Sequence, residues 1–323
     1  MKYNIAIIGS TGLVGRNTLQ ILVEQGLVEH NFYLFASARS VGKTQKIGKT
    51  KHVVQLLKKE NLLKRHFDFA LFCTRENISK AYVKLLAKRG TKVIDFSSAF
   101  RKNYPLIVPE INFDDIGNSN IICNPNCSTI QSVVALNNIR KKFGLTDIVF
   151  STYQAVSGAG KNAIDDLTQT NPRKLKKLDY PIVNNAIPYI GDIDKFGYCV
   201  EENKMMFETA KILHLSNTNI IANCVRIPVK NCHLVSVVFK TYKSSTLKQI
   251  QSILSKSKEV CFAQNILPMP INANNKNDVI VGRLKNHKNL KNCFSFFVCG
   301  DNLRKGASLN AVQILKNLIQ KNN

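Results

Sequence analysis

At 323 residues, 44% of them hydrophobic and none of them tryptophan, the chain is long enough for two domains that each bury a core. Its formal net charge of +25 is spread from Lys2 to Lys321, with no basic tail and no stripe of interleaved aromatics. That scatter argues against a nucleic-acid or membrane partner and fits the steering of anionic small molecules. Nine cysteines without a CxxC pair exclude a disulfide framework and a zinc site, so reduced thiols and no metal are expected. The opening MKYNIAIIGSTG runs straight into a strand pattern with no signal-peptide core, and no apolar run reaches membrane-spanning length. A cytoplasmic protein is therefore expected.

In chain order, NIAIIGSTGLVGRNTLQILVEQG reads as strand, glycine turn and helix. NFYLFASA (Asn31 to Ala38) is a second strand and FDFALFC (Phe67 to Cys73) a third, followed by a helix over ISKAYVKLLAKRG. TKVIDFSSAFR is a fourth strand and NIIC (Asn120 to Cys123) a fifth. Alternating strands and helices predict an α/β fold, with an N-terminal Rossmann-type, doubly wound parallel sheet covered on both faces. From TDIVFSTYQAVSGAG onward the pattern changes. NIIANCVRIPV, CHLVSVVFKTY and CFSFFVC read as strands and STLKQIQSILSKS as a helix, which predicts a mixed α+β second domain. KGASLNAVQILKNLIQ has the apolar spacing of a terminal helix. The expected domains are 1–126 with the C-terminal helix 304–323, and 127–303.

GSTGLVG sets Gly9, Gly12 and Gly15 between a strand and a helix. Such a turn lets backbone N–H groups approach a pyrophosphate and aims a helix N-terminus at it. The loop from Gly9 through Ser10, Thr11, Gly12, Leu13 and Val14 to Gly15 is the expected dinucleotide site. Folds selective for NAD place an acidic residue at the end of the second strand. Here FASARSVGK offers Ser37, Arg39, Ser40 and Lys43 and no carboxylate, which predicts NADP.

NPNCST puts Cys127 behind Pro125 and Asn126 and ahead of the apolar positions Ile130, Val133, Val134 and Leu136. A cysteine at a helix start is favoured as thiolate by the helix dipole, and a thiolate attacks carbonyl and acyl-phosphate carbon. Of six histidines, His233 stands out, seven residues after Arg226 and between two strand-like runs. A lone histidine is often structural, and composition leaves both readings open.

With these motifs in place, the chain resembles the aspartate-β-semialdehyde dehydrogenase family. The match runs through GSTGLVG, ASARSVGK, VIDFSSAFR, VPEIN, NPNCSTIQ, STYQAVSGAG, ENKMMFETAKIL, VRIPVKNCH, VGR and DNLRKGASLNAVQI. The family reduces β-aspartyl phosphate with NADPH in lysine, threonine and methionine biosynthesis. The resemblance implies Cys127 as nucleophile, with Asn126 supporting it and the acyl oxygen. It implies Gln154 as the substrate-orienting group and His233 as the acid–base group. Arg226 would grip the substrate α-carboxylate and Glu208 its amine, while Arg101 and Lys211 bind phosphate. Ser157, Gly158, Gly160 and Asn302 resemble cofactor contacts, and a homodimer or homotetramer is implied. Glu208 and Lys211 are three apart and would share a helix face. An N-acetyl-glutamyl-phosphate reductase has related chemistry, but its acylated amine has no use for a carboxylate at Glu208. The chain departs from the family pattern at CTRENISK, where Arg75 and Glu76 replace a small glycine-rich turn, and over the lysine-rich stretch from Gly42 to Phe67.

Overall fold

A computed structural model describes residues 1–262 and 265–322 of the chain. Ala263, Gln264 and Asn323, which the expected domain ranges include, lie outside the described residues. The chain divides into two units, Met1–Pro125 together with the stretch from Ala307, and Asn126–Gly306.

The first unit is built from β1 (Asn4–Ile8), α1 (Leu13–Glu24), β2 (Asn31–Ala36), β3 (Thr44–Ile47), β4 (Thr50–Leu56), α2 (Lys59–Leu63), β5 (Phe69–Phe72), α3 (Glu76–Ala87), β6 (Lys92–Asp95), α4 (Pro109–Asn112) and β7 (Ile121–Cys123). These strands form a seven-stranded sheet in the order β3-β4-β2-β1-β5-β6-β7. Every neighbouring pair is parallel except β3–β4. The central strands are apolar without alternation because both faces are covered; all four residues of β5 are buried. The stretch given no role by its sequence folds into the β3–β4 hairpin and α2, and it extends the sheet by two strands. Lys46, Lys49 and Lys51 hide its strand character, and lysines suit a sheet edge because they discourage pairing with other chains.

The second unit is built from α5 (Cys127–Phe143), β8 (Asp147–Gln154), α6 (Lys161–Asp165), α7 (Val200–Ile212), β9 (Asn219–Arg226), β10 (His233–Lys240), α8 (Leu247–Lys256), β11 (Val260–Phe262), α9 (Pro270–Ala273), β12 (Val279–Asn286) and β13 (Cys293–Gly300). Its six-stranded mixed sheet runs β11-β12-β13-β10-β8-β9. A π-helical turn, Arg304–Ser308, follows, and α10 (Leu309–Asn322) returns to the first unit. Leu309, Val312, Leu315 and Ile319 of α10 are buried in that unit's core, and the helix packs on α1.

Strict alternation governs the strands that carry the site. In β8, Ile148, Phe150, Thr152 and Gln154 are buried, and in β10, His233, Val235, Val237 and Phe239. Side chains two apart share one face of a strand. The polar residues at the strand ends, Gln154 and His233, therefore stand on the same faces as the apolar core. Helix α5 packs on β10, β12 and β13 and buries most of its circumference.

Gly15 is sterically obligatory. A Cβ there would lie 2.2 Å from the Gly9 carbonyl oxygen and 2.8 Å from backbone atoms of Ser10. At Gly12 the nearest atom would be 3.3 Å away. Backbone cannot swing aside as a flexible side chain can. Gly15→Ala should therefore cost about 1–3 kcal/mol and lower the melting temperature by several degrees, with Gly12→Ala costing less. Circular-dichroism melts check the order; equal melting of both variants would show that α1 can back away from the turn.

Candidate active site

The N-terminus of α5 is held by a single residue. The Asn126 side-chain oxygen accepts the N–H groups of Ser128 at 2.9 Å and Thr129 at 3.2 Å, an N-cap that satisfies two of the helix's unpaired donors. Its amide nitrogen donates to Glu201 Oε1 at 2.7 Å, and its backbone N–H donates to Glu208 Oε2 at 2.6 Å. Glu201 and Glu208 lie two turns apart on the buried face of α7, so one helix supplies both carboxylates. Glu202, beside them, accepts the N–H of Cys199 at 2.8 Å and that of Cys224 at 3.0 Å, which ties α7 to β9.

Cys127 is the first residue of α5 and is half-buried. Its Sγ is 3.1 Å from His233 Nε2. His233 is fully buried at the start of β10, directly after Cys232, which holds a left-handed φ of 74°. That backbone is uncommon for a residue with a Cβ and is sustained by its surroundings. Asn302 Oδ1 accepts the Cys232 N–H at 2.8 Å, and Asn302 Nδ2 donates to Ser157 Oγ at 2.9 Å. Asn302 thus clamps the SGAG turn to the segment that presents His233. Gln131, one turn after Cys127, donates to the His233 carbonyl at 3.0 Å and links helix to strand.

Ala155 joins two site residues through its backbone. Its N–H donates to His233 Nδ1 at 3.0 Å, and its carbonyl accepts Arg226 Nη1 at 2.7 Å. Arg226 closes β9 beside Gln154 of β8, and both are buried. Burial lowers the pKa of the Arg226 guanidinium, and the negative charges of Glu201 and Cys127 oppose that shift. Burial, then the Arg226 charge, push His233 down to about 3, so its ring is neutral. A Cβ at Gly158 would come within 3.3 Å of His233 Nε2 and 3.4 Å of Arg226 Nη1, so glycine keeps that approach open.

Of the residues expected from the sequence, the structure gathers Asn126, Cys127, Gln154, Ser157, Gly158, Glu208, Arg226, His233 and Asn302 into this second unit. Gly160 starts α6 with φ of 96°, and Lys211 sits on α7 with its Nζ 5.7 Å from the Phe207 ring centre. Arg101 belongs to the first unit, buried, with Nη2 donating to the Phe96 carbonyl at 2.9 Å. The glycine loop is also in that unit, where Gly9 N–H donates to the Phe35 carbonyl at 2.8 Å and Thr11 Oγ1 to Ser40 Oγ at 3.1 Å. Ser37 and Arg39 are exposed beside it. At the divergent turn, Arg75 precedes α3, and the carboxylate of Glu76 accepts the Ser98 hydroxyl. Glu201, Gln131 and the Ala155 peptide were missed. Glu201 is signalled by its two-turn spacing from Glu208 and Gln131 by its one-turn spacing from Cys127; a backbone donor leaves no sequence signal.

The Asn126 arrangement separates capping from charge. Aspartate caps helices as well as asparagine, but Asn126→Asp sets a carboxylate against Glu201. Asn126→Ala should cost about 1 kcal/mol from the lost cap. Asn126→Asp should melt lower still at pH 8. The like charge raises the new carboxyl's folded pKa, so the folded state binds more protons and stability recovers as the pH falls. Melts of both variants at pH 8 and pH 5 check this; an Asp variant more stable than the Ala variant at pH 8 would show that Glu201 is not charged there.

Residues 4–119 match the family model described as semialdehyde dehydrogenase, NAD binding domain, and residues 136–305 that of the semialdehyde dehydrogenase dimerisation domain. The chain is 41% identical over 338 residues to an aspartate-semialdehyde dehydrogenase of Aquifex aeolicus, with 99% of each chain covered. It is 39% identical over 341 residues to that of Bacillus subtilis, covering 99% of this chain and 98% of the other. The crystal structure of aspartate semialdehyde dehydrogenase II from Vibrio cholerae complexed with ASA is similar at a TM-score of 0.94 and 34% identity, with 99% of each chain covered. Sequence, fold and relatives agree that the chain belongs to the aspartate-semialdehyde dehydrogenase family.

Proposed function

We propose that this enzyme reduces L-aspartyl-4-phosphate to L-aspartate-4-semialdehyde and phosphate with NADPH, reversibly, through a thioacyl link to Cys127, in the biosynthesis of lysine, threonine and methionine. The observation that carries this reading is the 3.1 Å approach of His233 Nε2 to Cys127 Sγ at the N-terminus of a capped helix. A helix start, an imidazole N–H and a nearby guanidinium all favour negative charge on sulfur.

On this reading the Cys127 sulfur attacks the acyl carbon and the bond to the phosphate oxygen breaks. Asn126 holds the helix start, and Gln154, buried beside Arg226, orients the substrate. Arg226 meets the α-carboxylate as a planar two-pronged donor. Glu208 supplies the negative charge for the ammonium group, and Arg101 and Lys211 take the phosphate. His233, the acid–base group, faces the sulfur through Nε2 at 3.1 Å and handles the proton as the semialdehyde departs.

The first unit fits a nicotinamide dinucleotide. Gly15 leaves room only for backbone at the helix start, as a pyrophosphate turn requires. No carboxylate stands in the loop that follows β2, where Ser37, Arg39 and Ser40 suit a 2′-phosphate, which favours NADP. With Gly9 to Gly15 these residues would hold the cofactor, and Ser157, Gly158, Gly160 and Asn302 are the expected contacts of the second unit. Bound NADPH supplies the hydride that reduces the thioester carbonyl. The match of residues 136–305 to a dimerisation domain supports a homodimer.

The reverse assay tests the reading: aspartate semialdehyde, phosphate and NADP, followed by absorbance of the reduced cofactor. Turnover should require phosphate and fall at least about 10⁴-fold in Cys127→Ala, which loses the nucleophile. Arg226→Lys should raise the semialdehyde KM roughly tenfold or more through loss of the forked contact. Turnover only with N-acetyl-glutamate semialdehyde would move the assignment to the related reductase and overturn the role of Glu208.

A further inference from the structure

The β3–β4 hairpin carries no motif of its own, yet it is bonded to both loops expected to hold the dinucleotide. Gln45 leaves β3 half-buried, and its Nε2 donates to the Ser10 carbonyl of the glycine loop at 3.0 Å, across 35 positions of chain. Val54 of β4 holds the second loop. Its N–H donates to the Lys43 carbonyl at 2.8 Å, and its carbonyl accepts the Gly42 N–H at 3.0 Å. Ser40, at the end of the short 3₁₀ turn Ala38–Ser40, accepts the Thr11 hydroxyl at 3.1 Å, so the two loops are also joined to each other.

Other bonds already fix the two ends of the glycine turn. The Gly9 and Ser10 N–H groups both donate to the Phe35 carbonyl, at 2.8 and 3.2 Å, and the Gly12 N–H donates to the Gly9 carbonyl at 3.0 Å. Between them lies the peptide that joins Ser10 to Thr11. A trans peptide is planar, with its C=O and N–H on opposite sides. Holding the Ser10 oxygen therefore also aims the Thr11 N–H, and backbone N–H groups of such a turn are what a pyrophosphate takes. The other end of the Gln45 amide, Oε1, is buried without a hydrogen-bond partner. A buried polar atom left unsatisfied costs stability, so an apolar side chain of the same length would pack there more cheaply. What a glutamine adds at this position is the bond to Ser10.

We propose that Gln45 is a positioning residue for the cofactor: by holding the Ser10–Thr11 peptide it sets the glycine loop for the pyrophosphate, and the β3–β4 hairpin is the buttress that carries it. The inference rests on the dinucleotide reading of the first unit. It separates Gln45 from the residues expected at the 2′-phosphate. The pyrophosphate is common to NADPH and NADH, so Gln45 supports both cofactors alike. Ser37, Arg39 and Ser40 serve a phosphate that only NADPH carries.

Fluorescence titration of the whole enzyme with NADPH and with NADH tests this without turnover. Gln45→Met keeps the length of the side chain and removes the donor, whereas Gln45→Lys restores an N–H donor at similar reach. Gln45→Met should weaken both cofactors by the same factor, about three- to tenfold, the loss of one hydrogen bond. Its semialdehyde KM at saturating cofactor should stay within about twofold, because no substrate contact is lost. Gln45→Lys should bind both cofactors within about twofold of the unaltered enzyme, or more tightly, because the donor is restored. Unchanged cofactor affinity in Gln45→Met would overturn the inference. So would a loss confined to NADPH, which would place Gln45 at the 2′-phosphate. Equal loss in Gln45→Met and Gln45→Lys, or a matching rise in the semialdehyde KM, would reduce Gln45 to a packing residue. Unaltered enzyme that binds neither dinucleotide would overturn the cofactor reading and this inference together. The aspartyl-phosphate assignment is decided separately, by the turnover assay.

Discussion

Asn126 bears three demands at the head of α5, and the second unit is organised around them. Its side-chain oxygen closes the helix, its side-chain nitrogen reaches Glu201, and its backbone N–H reaches Glu208. A short amide carries its acceptor and its donor on separate atoms, so it can accept on one side and donate on the other. The direction of Cys127 follows, because the residue after a capped position has no freedom to turn. The opposing surface is set just as firmly, since β8, β9 and β10 deliver Gln154, Arg226 and His233 on their buried faces. Cys127 comes from a helix end and the residues around it from strand ends, so rigid elements and not long loops fix their spacing.

A helix buried nearly all round has polar side chains to satisfy, and α5 does so only in part: Ser128 Oγ, Thr129 Oγ1 and Gln131 Oε1 are buried without a hydrogen-bond partner. Ser132 bonds to the Ser128 carbonyl, and Gln131 crosses to the His233 carbonyl. The Gln131 bond turns polarity on α5 into a connection between the helix of Cys127 and the sheet. The glycines act in the opposite sense, by what they leave out. Gly15 admits the start of α1 and Gly158 keeps a side chain off His233 and Arg226.

Much of this was legible in the chain. The glycine spacing, the alternating βα pattern and the NPNCST motif all rest on local rules, and the structure shows the turn, the parallel sheet and Cys127 heading a helix where those rules place them. Family motifs pointed to His233, Arg226, Gln154 and Glu208, although which of them touch depends on strand register, which local patterns do not state. The β3–β4 hairpin escaped because β3, at the sheet edge, and the turn into β4 carry lysine where a buried strand would carry valine or isoleucine. The Ala155 peptide escaped for a deeper reason. Every residue but proline has a backbone N–H, so its use as a donor is invisible until the fold aims it.

The contacts that surround Cys127 join distant parts of the chain. Its imidazole neighbour is 106 positions away, and the two carboxylates on Asn126 are 75 and 82 positions away. The Gly306 backing of its Cβ comes later still. Such pairings form late, because the entropy of closing long loops must be met before the contacts can repay it. During synthesis, Cys127 leaves the ribosome long before His233 exists, and in that interval it is an ordinary thiol. The centre is therefore latent in any nascent, truncated or unfolded copy. The surroundings that distinguish Cys127 from an ordinary thiol are complete only once these distant contacts have formed.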